Sequence, residues 1–106
     1  LRNLSFKTPR VLSKAGLKIA ICTDHNVVPL KYLALCAALA VKAGMDREEA
    51  LKAITLYPAE ILELDHRIGS IKEGKDADIV VWDGHPFDVF SKVQTAIISC
   101  NAVYRA

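Results

Sequence analysis

The sequence predicts an α+β chain, with a helical, α/β-like segment over residues 1–64 and a small β segment over residues 65–106. Three observations carry this reading. First, the apolar run Ile19-Ala20-Ile21-Cys22 stops abruptly at Thr23-Asp24-His25-Asn26. A run that short and apolar has the pattern of a strand buried on both faces, as parallel strands are. Second, residues 30–43 are apolar almost throughout and end at Gly44, the pattern of a helix covered on all sides. Third, from Asp65 onward short β-branched runs alternate with turn residues, which is how a small antiparallel unit reads.

Taken in order, residues 1–7 predict no element. Thr8-Pro9 before residues 10–15 and Gly16 predicts a short helix, with Thr8 as N-cap, Pro9 at the first helical position and Gly16 as the left-handed stop. A strand over residues 17–22 follows, and a helix feeding a buried strand is one step of a βαβ pattern. After the loop Asn26-Val27-Val28-Pro29 comes the apolar helix 30–43. Asp46-Arg47-Glu48-Glu49 has capping-box spacing, with Asp46 as N-cap and Glu49 reaching back. That helix runs to about Thr55, and another covers residues 58–64. Strands are predicted over residues 68–71, 79–82, 95–98 and 102–104, the last two joined as a hairpin around Cys100-Asn101.

A chain of 106 residues makes one small domain, which buries only about two-thirds of its unfolded surface. Yet 52% of the residues are hydrophobic and the mean hydropathy is +0.22. That excess implies apolar surface meant for something outside this chain, and so self-association of the chain on its own. The net charge of +2 is spread along the sequence, without the basic block or aromatic interleaving of a nucleic-acid binder. No apolar run reaches membrane-spanning length, and no signal peptide opens the chain. Cys22, Cys36 and Cys100 are odd in number and far apart. They read as buried free thiols in a reducing, cytoplasmic setting. The sequence starts at Leu1 and its only methionine is Met45, which raises the expectation of a piece of a longer polypeptide.

The candidate chemistry centres on Asp24. Polar residues at the carboxyl end of a buried strand sit where α/β proteins place their active sites. The same residues also suit a plain turn, since Asp and Asn tolerate turn geometry. No His-x-His, His-x3-His or Cys-x2-Cys spacing occurs, so the residues do not make a complete metal site, which needs three or four converging ligands. His66 and His85 read as surface or capping histidines, and Asp76 and Asp78 as a solvated turn.

Three stretches, in order, resemble the amidohydrolase superfamily, closest to its imidazolonepropionase-like members. Thr23-Asp24-His25 resembles the motif of the eighth barrel strand. Ala50-Leu51-Lys52-Ala53-Ile54-Thr55 with Pro58-Ala59-Glu60-Ile61-Leu62 resembles the helical segment that follows. Ile71-Lys72-Glu73-Gly74-Lys75-Asp76-Ala77-Asp78-Ile79-Val80-Val81 resembles the C-terminal signature. The resemblance implies the C-terminal piece of a (β/α)8 TIM-like barrel plus terminal strands of a small composite β-sandwich. It implies a metal-dependent hydrolase of non-peptide C–N bonds in small-molecule substrates such as cyclic amides or amidines. The metal expected is zinc, with iron or manganese as alternatives. Of the metal ligands only Asp24 maps onto this chain; it would also serve as general base. His25 is the candidate substrate contact, with the metal's outer shell or packing of the loop as the alternatives, and the rest of the parent barrel would be the partner.

Three departures concern caps and turns. Tyr57 stands where such proteins often have Asn, Glu63 where a helix often ends in Gly, and Cys100-Asn101 where Asp-Gly is usual. The competing reading is a non-catalytic structural or interaction module derived from an amidohydrolase. Either way, the 106-residue chain alone is expected to be inactive.

Overall fold

The structure, a computed structural model, describes residues 7–106. Residues 1–6, the start of the first predicted segment, lie outside the described residues. Four short helices come first: α1 (Thr8–Lys14), α2 (Leu33–Lys42, entered through a 3₁₀ turn at Leu30–Tyr32), α3 (Arg47–Ala53) and α4 (Leu56–Ile61). Three strands follow: β1 (Ile79–Trp82), β2 (Val93–Ile98) and β3 (Asn101–Arg105). They form one antiparallel sheet in the order β1-β2-β3.

Helix ends follow local chemistry. At α1, Lys7 rather than Thr8 occupies the N-cap and no side chain caps the helix. Thr8 lies one position too far inside to receive an amide. The stops of α1, α2 and α4 share one device, in which two carbonyls of the last turn are satisfied by a left-handed residue and the residue after it. Gly16 (φ +84) and Leu17 do this for α1, with Leu17 N–H donating to the Leu12 carbonyl at 3.2 Å. Gly44 (φ +110) and Met45 do it for α2. At α4 the left-handed residue is Glu63 (φ +58), with Leu64 N–H on the Ala59 carbonyl at 2.7 Å.

The expected capping box at α3 is half formed. Asp46 accepts the Glu49 amide at 3.1 Å. The Glu49 carboxylate does not reach back; it accepts the Tyr57 hydroxyl at 2.8 Å. The Tyr that replaces the usual Asn therefore ties the start of α4 to α3.

Several expected elements differ. Residues 17–23 are extended but join no sheet among the described residues, because a strand needs a neighbour to share its ladder. Only one face is covered: Ile19 and Ile21 pack on the helical core while Ala20 and Cys22 are exposed. Residues 68–71 are not a strand. Gly69 there takes φ +97 and bends against α4, so closely that a Cβ would lie 2.7 Å from the Ala59 Cβ. The hairpin turn is Ser99-Cys100, one residue earlier than predicted, both at positive φ (49° and 67°), the requirement of a tight type I′ turn. Asp76 and Asp78 are not simply solvated. Asp76 pairs with Arg67 at 2.8 Å, and Asp78 accepts the Ser99 amide at 2.9 Å, fastening the turn.

The core is built mostly of small side chains: Ala37, Ala40, Ala50 and Ala53, with Met45 beside them. They let α2 and α3 approach closely, and Phe87 from the β1–β2 loop packs onto them. Among the described residues, no large side chain is fully buried. Helix α2 is not covered on every side: Ala37 and Ala40 are buried, but Leu35 is exposed. Nor are the cysteines buried as a set. All three are free, Cys22 and Cys100 exposed and Cys36 half-buried. Among the described residues, no helix is long and apolar enough to cross a membrane.

Candidate functional site

The extended segment 17–23 delivers two polar ends. Ile21 N–H donates to the Ala53 carbonyl at 2.9 Å, pinning the segment to the C-terminus of α3. Alternation along the segment puts Thr23 inward, the single buried polar residue among the described residues at 5% exposure, and Asp24 outward at φ +52. Asp is among the few residues that reach this left-handed region at modest cost. No hydrogen bond or ion pair engages the Asp24 carboxylate among the described residues. The loop beyond it is closed by backbone bonds, Val27 N–H to the Asp24 carbonyl at 2.7 Å and Val28 N–H to the Thr23 carbonyl at 3.2 Å. His25 is exposed, and its Nδ1 accepts Leu30 N–H at 2.9 Å. Asp24 and His25 are thus presented together at the mouth of one loop.

Neither of the other histidines joins them. His66 is exposed on the turn after α4. His85 caps its own turn, Nδ1 accepting the Phe87 amide at 3.1 Å, with the two rings 5.0 Å apart edge to face. Among the described residues, no three His, Cys, Asp or Glu side chains gather where a metal ion could be held. The residues present therefore fit a metal only in part: Asp24 offers one unengaged oxygen donor set, and a zinc site needs three or four ligands.

The opposite end of the segment, six residues or about 20 Å away along an extended chain, carries a network absent from the sequence reading. Lys18 Nζ meets Glu60 Oε2 at 2.6 Å and lies 5.8 Å from the centre of the Tyr57 ring. The Glu60 hydrogen bond and charge raise the Lys18 ammonium above its ordinary pKa. Tyr57 in turn donates to Glu49, and that bond, followed by burial, raises the phenol above its ordinary value. The partners are too far apart in sequence for any spacing rule to join Lys18 to Glu60.

A segment ending in an exposed Asp, followed by helices and a signature-bearing sheet, is an arrangement that comparison with known proteins assigns to one family. The amidohydrolase family model matches residues 4–103, and the chain belongs to that family. The imidazolonepropionase of Caldanaerobacter subterraneus subsp. tengcongensis is 37% identical over 107 residues, covering 98% of this chain and 26% of that protein. The imidazolonepropionase of Thermoplasma volcanium is 41% identical over 83 residues, covering 74% and 20%. Among solved structures, an amidohydrolase from Thermotoga maritima aligns with a TM-score of 0.96 and 46% identity, over 100% of this chain and 28% of that one. The chain spans about a quarter of the length of the relatives it matches.

Proposed function

We propose that this chain is the C-terminal portion of a metal-dependent amidohydrolase that hydrolyses non-peptide C–N bonds of small cyclic amide or amidine substrates. Residues 17–23 would be the last strand of its barrel, completed by strands from the rest of the parent protein, and β1–β3 part of its small sandwich. The observation that carries the reading is Asp24, an unengaged carboxylate at the polar end of an extended segment, in a chain that matches an amidohydrolase structure at a TM-score of 0.96.

A divalent metal, expected to be zinc, with iron or manganese as alternatives, lowers the pKa of a bound water towards neutrality when it is present. Asp24 would give that metal one carboxylate oxygen. Its second oxygen would take the proton of the attacking water and return it to the leaving nitrogen, as a positioned general base does. His25, one residue on and exposed, is available to the substrate through Nε2, since its Nδ1 is occupied by Leu30 N–H.

Asp24→Asn in the parent enzyme keeps the shape and removes the charge and basicity. The fold should survive, because an exposed residue at a strand's end contributes little packing. Metal content should fall only partly, since the other ligands remain. Turnover should drop by about 10²–10⁴-fold, the usual contribution of positioned proton transfer, and chiefly in kcat. Near-normal kcat with full metal occupancy would return Asp24 to the plain turn.

A further inference from the structure

We propose that His25 is a positioning residue for Asp24, acting through its Nδ1; this rests on reading Asp24 as a metal ligand. Asp24 is in a left-handed backbone conformation (φ +52), and such conformations persist when the surroundings over-determine them. Three bonds do so here. Val27 N–H to the Asp24 carbonyl and Val28 N–H to the Thr23 carbonyl close the turn on itself. Neither ties the turn to the body of the protein. The third bond does: His25 Nδ1 accepts the amide of Leu30 at 2.9 Å, the first residue of the 3₁₀ turn that runs directly into α2. Helix α2 is anchored in turn by its buried Ala37 and Ala40. On the other side, buried Thr23 fixes the approach. Asp24 is therefore suspended between two anchors, Thr23 in the core and His25 on the start of the helical layer. Released from the second, the carboxylate would still be present, but its direction would no longer be set.

The two ring nitrogens can be separated by substitution. Asn puts an acceptor oxygen at the position of Nδ1, while Gln carries its amide one carbon further, near Nε2. His25→Asn, His25→Gln and His25→Ala would be made in the parent enzyme. Each would be examined by zinc titration, by hydrogen–deuterium exchange over residues 26–32 and by kcat and KM. The expected result is that His25→Asn keeps zinc affinity and exchange protection close to those of the parent, whatever happens to kcat and KM through the lost Nε2. His25→Gln and His25→Ala should lose about 10–100-fold in zinc affinity, the usual effect of removing a group that orients a ligand, with faster exchange and a matching fall in kcat. A His25→Gln protein equal to the parent in zinc affinity and exchange, or a His25→Asn protein as impaired in both as His25→Ala, would overturn the proposal. Should His25→Ala fail to fold, the Asn and Gln pair decides alone. If instead Asp24→Asn retains zinc affinity and kcat, the reading of the site fails, and that outcome does not depend on His25.

Discussion

At the scale of single residues, Tyr57 shows how a departure from the family pattern is put to use. An Asn at that position would cap a helix; Tyr57 instead donates to Glu49 at 2.8 Å and lies under the Lys18 ammonium. Both titrating groups have folded-state pKa values raised above their ordinary 10.0 and 10.5. A raised value means that the folded chain holds the proton more tightly than the unfolded one. The stabilisation is therefore complete below pH 10 and is lost as pH rises through the raised folded values. In the parent enzyme, the denaturation midpoint should be lower at pH 11 than at pH 8, with the loss setting in above about pH 10. The fall should be shallower for Tyr57→Phe, which has no phenol to ionise and no bond to Glu49. Equal slopes for the two proteins would show that the hydrogen bond contributes nothing. High salt should erode the Lys18–Glu60 part first, because Lys18 is more than half exposed.

At the scale of elements, the three helix stops form an internal comparison. Glycine fills the left-handed position after α1 and α2, and Glu63 fills it after α4 with the same pair of bonds. A residue with a Cβ pays about 1–2 kcal/mol to sit there, partly offset by the greater freedom glycine has when unfolded. Glu63→Gly is thus expected to stabilise the protein by about 0.5–1 kcal/mol, read as a higher denaturation midpoint. A lower midpoint would mean that the Glu63 side chain makes a contact worth more than the strain. These stops also show what was legible beforehand. Gly16 and Gly44 mark their helix ends in the sequence, and the Asp46 cap and β1 stand where local chemistry puts them. The hairpin was visible too, but its turn lies one residue earlier, because Ser99 and Cys100 lack the Asn-Gly chemistry that would have marked it. Residues 68–71 look like a strand by composition, and tertiary packing against Ala59 bends them at Gly69. Asp24 could be singled out as a candidate because the abrupt end of an apolar run at polar residues is visible without any partner. The His25–Leu30 bond and the Lys18–Glu60 pair could not, since each depends on how the backbone folds.

At the scale of the whole molecule, the surface does not match the mass. A compact monomer of 11.6 kDa exposes about 5,800 Å², whereas this chain exposes 7864 Å². The difference of about 2,000 Å² exceeds what one partner contributes to a standard stable interface, about 800 Å². It is also apolar where it counts. Val80 and Val81 on β1, Ile98 on β2, Val103 and Tyr104 on β3, and Phe90 at 87% exposure in the loop between β1 and β2 are all uncovered. The core offers no large buried side chain to offset this, only alanines and Met45. The extended segment adds an unpaired backbone edge, which recruits strands from elsewhere. Within the parent enzyme, we propose, these surfaces meet the rest of the barrel and the sandwich. Produced alone, the 106-residue chain should instead cover them with copies of itself or depend on a chaperone to stay in solution. Sedimentation velocity over a hundredfold concentration range should show a mass above 11.6 kDa that grows with concentration, and dye binding to exposed apolar surface should fall as it does. A compact monomer that persists at the highest concentration, with a cooperative thermal transition, would show that the alanine core suffices and that the exposed faces need no partner.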